Sequence, residues 1–147
     1  MKGIYVLLIE LPEPAEIKTL SRTFTMAKCY YAYVGSAMNN LQARIARHLS
    51  KEKKQHWHID YLLDRASVRA VISAQSDTNA ECLIAKSLSV MTSVAGFGCS
   101  DCRCRSHLFY STEYDTLAQT ISASFEAADL EPARNILPIP PKTSKVA

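Results

Sequence analysis

The sequence predicts a single α/β domain of the α+β type, and three observations carry that prediction. A stretch rich in β-branched and aliphatic residues, GIYVLLIEL at residues 3–11, reads as a buried strand stopped by Pro12 and Pro14. Residues 28–35, KCYYAYVG, alternate, so that Cys29, Tyr31 and Tyr33 share one face of a strand and Tyr30, Ala32 and Val34 the other. Leu41, Ile45 and Leu49 recur every fourth residue, the spacing of a buried helical stripe. Tyr5 and Tyr33 are thus expected on strands of one sheet.

The remaining elements follow in order. Ile17 to Thr25 reads as a second extended piece. Asn39 or Asn40 caps the helix of the Leu41 stripe, with Arg44 and His48 four apart at the edge of that stripe. A short helix is expected over His58 to Arg65. Val68 to Ala74 alternates as a strand. A helix starting at Asp77 or Thr78 and running to Leu88 would turn Leu83, Ile84 and Leu88 inward. The Gly96-Phe97-Gly98 turn then leads to a short strand at His107 to Tyr110. A last amphipathic helix over 113–129 uses Tyr114, Leu117, Ile121 and Phe125. From Pro132 the prolines and lysines leave little to bury, so residues 1–131 are expected to fold as one domain and 132–147 to form a flexible tail.

Length and charge narrow the function. A chain of 147 residues suits one core. Net charge is only +3, but Arg44, Arg47, Lys51, Lys53 and Lys54 crowd residues 41–58 against one acid, Glu52. Such a patch attracts nucleic acid; it also reads as a solvated helix end. No stretch reaches the roughly 20 apolar residues of a membrane helix, and the first apolar run is too short for a signal peptide, so an intracellular, cytoplasmic protein is expected. In a reducing compartment, the crowding of Cys99, Cys102 and Cys104 suggests metal binding or buried thiols rather than a disulfide framework.

Gly3-Ile4-Tyr5, Tyr33-Val34-Gly35, Arg44, His48 and Glu81 occur in an order that resembles the GIY-YIG nucleases. Within roughly residues 3 to 110, the phrases YAYVGSA, ARIARHL, HWHIDYLL, EC and SDCRCRSHLFY are similar to a small branch of that superfamily, the Uri-type endonucleases, also seen attached to DNA repair glycosylases. The resemblance implies a central antiparallel sheet flanked by helices and a catalytic surface across one sheet face. It further implies a phosphodiesterase acting on nucleic acid, DNA ahead of RNA, with one Mg²⁺ or Mn²⁺ and a repair enzyme as a possible partner. Tyr5 and Tyr33 would orient or deprotonate the attacking water, Arg44 hold the scissile phosphate, His48 assist, and Glu81 hold the cation. Arg47, Lys51, Lys53, Lys54 and His58 would follow the nucleic-acid backbone.

Other readings of the same residues stand beside these. Both tyrosines also suit ordinary sheet packing, and Thr78-Asn79-Ala80-Glu81 is a capping box in which Glu81 would bond the backbone of Thr78. The cluster His56-Trp57-His58-Ile59-Asp60 suits metal or phosphate ligation, or a helix cap and anchor with Trp57 packed in the core; structure or substrate contact is the favoured reading. Cys99, Cys102, Cys104 and His107, with Cys82 near, suit either a structural Zn²⁺ or buried thiols. Three departures from the superfamily pattern stand out. Residues 6–32 separate the tyrosine motifs, as an inserted hairpin would; YVG replaces YIG; and the family's late asparagine has no counterpart. A nucleic-acid-binding module without catalysis, or a metal-stabilised interaction domain, are the alternatives.

Overall fold

The computed structural model describes residues 2–20, 22–37, 39–50, 55, 57–76, 80–98 and 106–136. Its main sheet has six antiparallel strands in the order β6-β7-β4-β1-β5-β8. These are β1 (Gly3–Leu11), β4 (Cys29–Ala37), β5 (Ser67–Gln75), β6 (Thr92–Ser93), β7 (Leu108–Ser111) and β8 (Ala133–Ile136). Strands β2 (Ala15–Lys18) and β3 (Thr23–Met26) pair only with each other, as the hairpin expected between the two tyrosine motifs. Helices α1 (Leu41–Leu49), α2 (His58–Leu63), α3 (Glu81–Ser87) and α4 (Tyr114–Ala127) cover the main sheet.

β1 is central, and that position explains its apolar run from Ile4 to Ile9. Its odd-numbered side chains, from Tyr5 to Leu11, enter one core with Leu41 and Ile45 of α1, Ile59 and Leu62 of α2, and Ile17, Phe24 and Met26 of the hairpin. Ile4, Val6 and Leu8 enter the opposite core with Ile84, Leu88, Leu117, Ile121 and Phe125. Both faces are therefore covered, so alternation of polar and apolar residues would cost buried polar groups. Asn40 caps α1 by accepting the Ala43 N–H at 3.0 Å.

Four expectations shift. Leu49 and Leu83 are exposed, because α1 turns His48 inward in place of Leu49 and α3 turns Ile84 and Leu88 inward, which leaves Leu83 about 100° off the buried line. Helix α3 starts at Glu81; residues 77–79, where the earlier start was expected, lie outside the described residues. The folded part also runs past residue 131, since Ala133 to Ile136 add an edge strand to β5, and residues 137–147 lie outside the description. Among the described residues no helix is long and apolar enough to cross a membrane.

Candidate active site

The β1–β4 register sets Tyr5 directly opposite Gly35, and the phenol ring lies across that glycine. A Cβ at position 35 would stand 2.4 Å from both Tyr5 Cζ and Tyr5 Oη, so the glycine of the second tyrosine motif provides the space that the tyrosine of the first occupies. The ring then reaches α1, where Tyr5 Oη and His48 Nε2 share a buried 2.6 Å hydrogen bond. Tyr33, opposite Leu7 and on the same face as Tyr5, stands edge-on to His48 with ring centres 6.2 Å apart. Gly98, at φ +70°, lets the chain turn against Tyr33: a Cβ there would press on Tyr33 Cε1 at 3.0 Å.

Arg44 and Arg47, three apart on α1, point to the same neighbour. The guanidinium carbons of Arg44 and Arg47 stand 4.6 and 4.4 Å from the centre of the Trp57 ring. Arg44 Nη1 also donates to the Ser36 carbonyl at 3.2 Å, one residue beyond Gly35. Arg47 makes a two-pronged pair with Asp60, 2.9 and 3.0 Å, and this bonding raises its pKa. Asp60, wholly buried, also accepts the Trp57 N–H at 2.9 Å, as the third helical residue of a capping box does.

Of the residues expected to follow a nucleic-acid backbone, Arg47 is thus engaged internally. His58 is too: its Nδ1 accepts the Gly98 N–H at 3.2 Å, and its ring packs on Phe24 and Phe97. Burial, helped by Arg22, lowers the His58 pKa. Lys51, Lys53 and Lys54, with His56, lie outside the described residues.

Glu81 opens α3, and its side chain is 23% exposed. Its Oε1 stands 3.6 Å from Nδ1 of the buried His107. The capping alternative for Glu81 involves Thr78, outside the described residues. Burial raises the pKa of Tyr5 and of Tyr33 well above the ordinary tyrosine value. Arg44 acts against that shift at both rings, while Glu81 adds to it at both. Two tyrosines, an arginine and a carboxylate expected from the sequence therefore share one electrostatic neighbourhood. The phenols do not line an open cleft, however: Tyr5 is 1% and Tyr33 8% exposed.

Cys99, Cys102 and Cys104 lie outside the described residues, and Cys82 is half-buried and in no disulfide. Among the described residues no three His, Cys, Asp or Glu side chains gather as a metal cluster. Magnesium, though, is often held by one or two carboxylates with waters and substrate phosphate completing the shell. Glu81, with its side chain 23% exposed, is the carboxylate at this site that could ligate such an ion. Sequence reading missed the linkage from Asp60 through Arg47 and Trp57 to Arg44; its only signal was the three-residue spacing of Trp57 and Asp60 at the head of a helix.

A GIY-YIG-like domain is what this sheet and this gathering of residues define. The chain belongs to the family described as a domain of unknown function, DUF123, whose family model matches residues 4–130. That match takes in Tyr5, the Tyr33-Val34-Gly35 motif, Arg44, His48 and Glu81. No curated protein and no solved structure matches the chain.

Proposed function

We propose that the protein is an endonuclease-like phosphodiesterase that hydrolyses DNA, in the cytoplasm and in the service of repair. One observation carries the reading: the 2.6 Å bond from Tyr5 Oη to His48 Nε2, beside Arg44 and within the field of Glu81. Because burial disfavours a tyrosinate, Tyr5 serves as a relay rather than a standing base. Its oxygen takes a proton from the attacking water as its own proton passes to His48 Nε2, so the positive charge ends on the imidazole and no free tyrosinate has to form. Arg44 places a fixed, forked cation on the phosphate, where negative charge grows in the transition state. Tyr33 stands edge-on beside His48. Glu81 would hold Mg²⁺ or Mn²⁺, which supplies Lewis-acid polarisation of the phosphate and the leaving oxygen.

The burial of both phenols favours one competing reading, a nucleic-acid-binding module that retains the scaffold without turnover. Cleavage of a panel of branched and single-stranded DNAs with Mg²⁺ or Mn²⁺ separates the two. For the enzyme, Glu81→Gln abolishes metal-dependent cleavage while leaving binding in EDTA intact, and Arg44→Ala weakens both. Salt-dependent binding with no cleavage by the unmodified protein, and no effect of Glu81→Gln, leaves the binding module.

A further inference from the structure

The arginine proposed for the phosphate does not stand alone on its helix. Long side chains lose considerable rotamer entropy when fixed, so a cation that must meet a phosphate at one angle works best when it is held in place before the substrate arrives. Arg44 is held from two directions, by the Ser36 carbonyl at 3.2 Å and by the Trp57 ring at 4.6 Å. The Trp57 ring is fixed in turn. The Trp57 backbone N–H donates to Asp60, which anchors the residue, and Asp60 grips Arg47, whose guanidinium lies against the indole. The ring centre is also 6.1 Å from that of His48, the partner of Tyr5.

We infer that Trp57, clamped by Asp60, is a positioning residue that presents the Arg44 guanidinium to a nucleic-acid phosphate. The inference rests on the proposed function of the site. It gives the HWHID segment a role at the phosphate through Arg44, without direct contact with substrate. The chain has one tryptophan, so Trp57 fluorescence reports this contact by itself.

The test is a cycle of Arg44→Ala, Trp57→Leu, the double variant and Trp57→Phe, all measured below their melting temperatures. First, without nucleic acid, the emission of Trp57 is compared between the unmodified protein and Arg44→Ala; a change is expected, and an identical spectrum overturns the inference whatever the protein's activity. Second, with a branched DNA and Mn²⁺, Trp57→Leu is expected to lower kcat about tenfold with KM within about twofold, the scale of a partly desolvated cation–π contact. Trp57→Phe, which keeps an aromatic face, recovers most of that loss. In the Arg44→Ala background, Trp57→Leu has no further effect. A loss of equal size with and without Arg44, or no recovery by phenylalanine in a folded protein, overturns the positioning role. If the unmodified protein cuts no DNA, the enzyme reading has failed separately, and the same cycle is read on the Kd for a labelled single-stranded DNA in EDTA, where additivity again refutes it.

Discussion

Gly35→Ala is the smallest change that tests how the two tyrosine motifs are joined. The new methyl would stand 2.4 Å from Tyr5 Cζ and Oη and 2.8 Å from Cε2, all well inside the 3.4 Å at which ordinary contact begins. Position 35 belongs to a strand bonded on one side to β1, so the backbone has little room to retreat, and the ring must tilt. Tilting breaks the 2.6 Å bond to His48. Overpacking a core costs about 1–3 kcal/mol, and loss of a buried hydrogen bond adds about 1 kcal/mol. The expected destabilisation is therefore about 2–4 kcal/mol, read as a fall in the urea midpoint at unchanged m. In a Tyr5→Leu background the colliding ring atoms are gone, and Gly35→Ala should cost less than about 1 kcal/mol, since the residual effect is only local strand preference. Equal costs in the two backgrounds would refute the argument that Gly35 exists to seat Tyr5.

Three further outcomes are expected. Asp60→Ala removes a wholly buried carboxylate from Arg47 and from the head of α2; with Arg47 still 29% exposed, the loss should fall near the low end for a buried pair, about 3 kcal/mol by denaturant titration, and an effect under 1 kcal/mol would contradict the clamp. His58 has a lowered pKa in the folded state, so its stabilising neutral form is complete above the ordinary histidine value near 6.5 and is lost as pH falls through the lower folded value; the melting temperature should drop with acidification, more steeply than in His58→Gln. Protein purified without added metal should carry about one equivalent of Zn²⁺ that Cys102→Ser releases, if the cysteine segment is a zinc site; metal-free protein of unchanged stability leaves buried thiols.

The sheet and helices were legible where a local pattern met a burial demand, as in β1, β4 and the Leu117-Ile121-Phe125 face of α4. Legibility failed where tertiary packing chose between equivalent local solutions. Leu49 completes a fourfold spacing in sequence, yet His48 occupies the buried place because its Nε2 has Tyr5 Oη to meet. Ala133-Arg134-Asn135-Ile136 has no strand pattern, and it pairs because β5 offers an open edge. At the site, Tyr5, Tyr33, Arg44 and Glu81 were expected together only because each matches a position of the GIY-YIG pattern that the sequence resembles. The burial of the phenols was hidden, since it comes from α1 and from the Phe97-Gly98 turn closing over them.

Two peculiarities of the sequence, the long insertion between the tyrosine motifs and the HWHID segment, prove to be parts of one support. Ile17, Phe24 and Met26 of the inserted hairpin enter the core that also holds Ile59 and Leu62, and the Phe24 ring stands 5.2 Å from that of His58. The hairpin thus backs α2, and α2 delivers Trp57 and Asp60 to the arginines of α1. A helix of six residues has little stability by itself, so without tertiary packing its first turn would not hold an indole in place. Lengthening the chain between Tyr5 and Tyr33 therefore does not loosen the site. The added residues pack against α2, whose head carries Trp57 and Asp60 to Arg44 and Arg47.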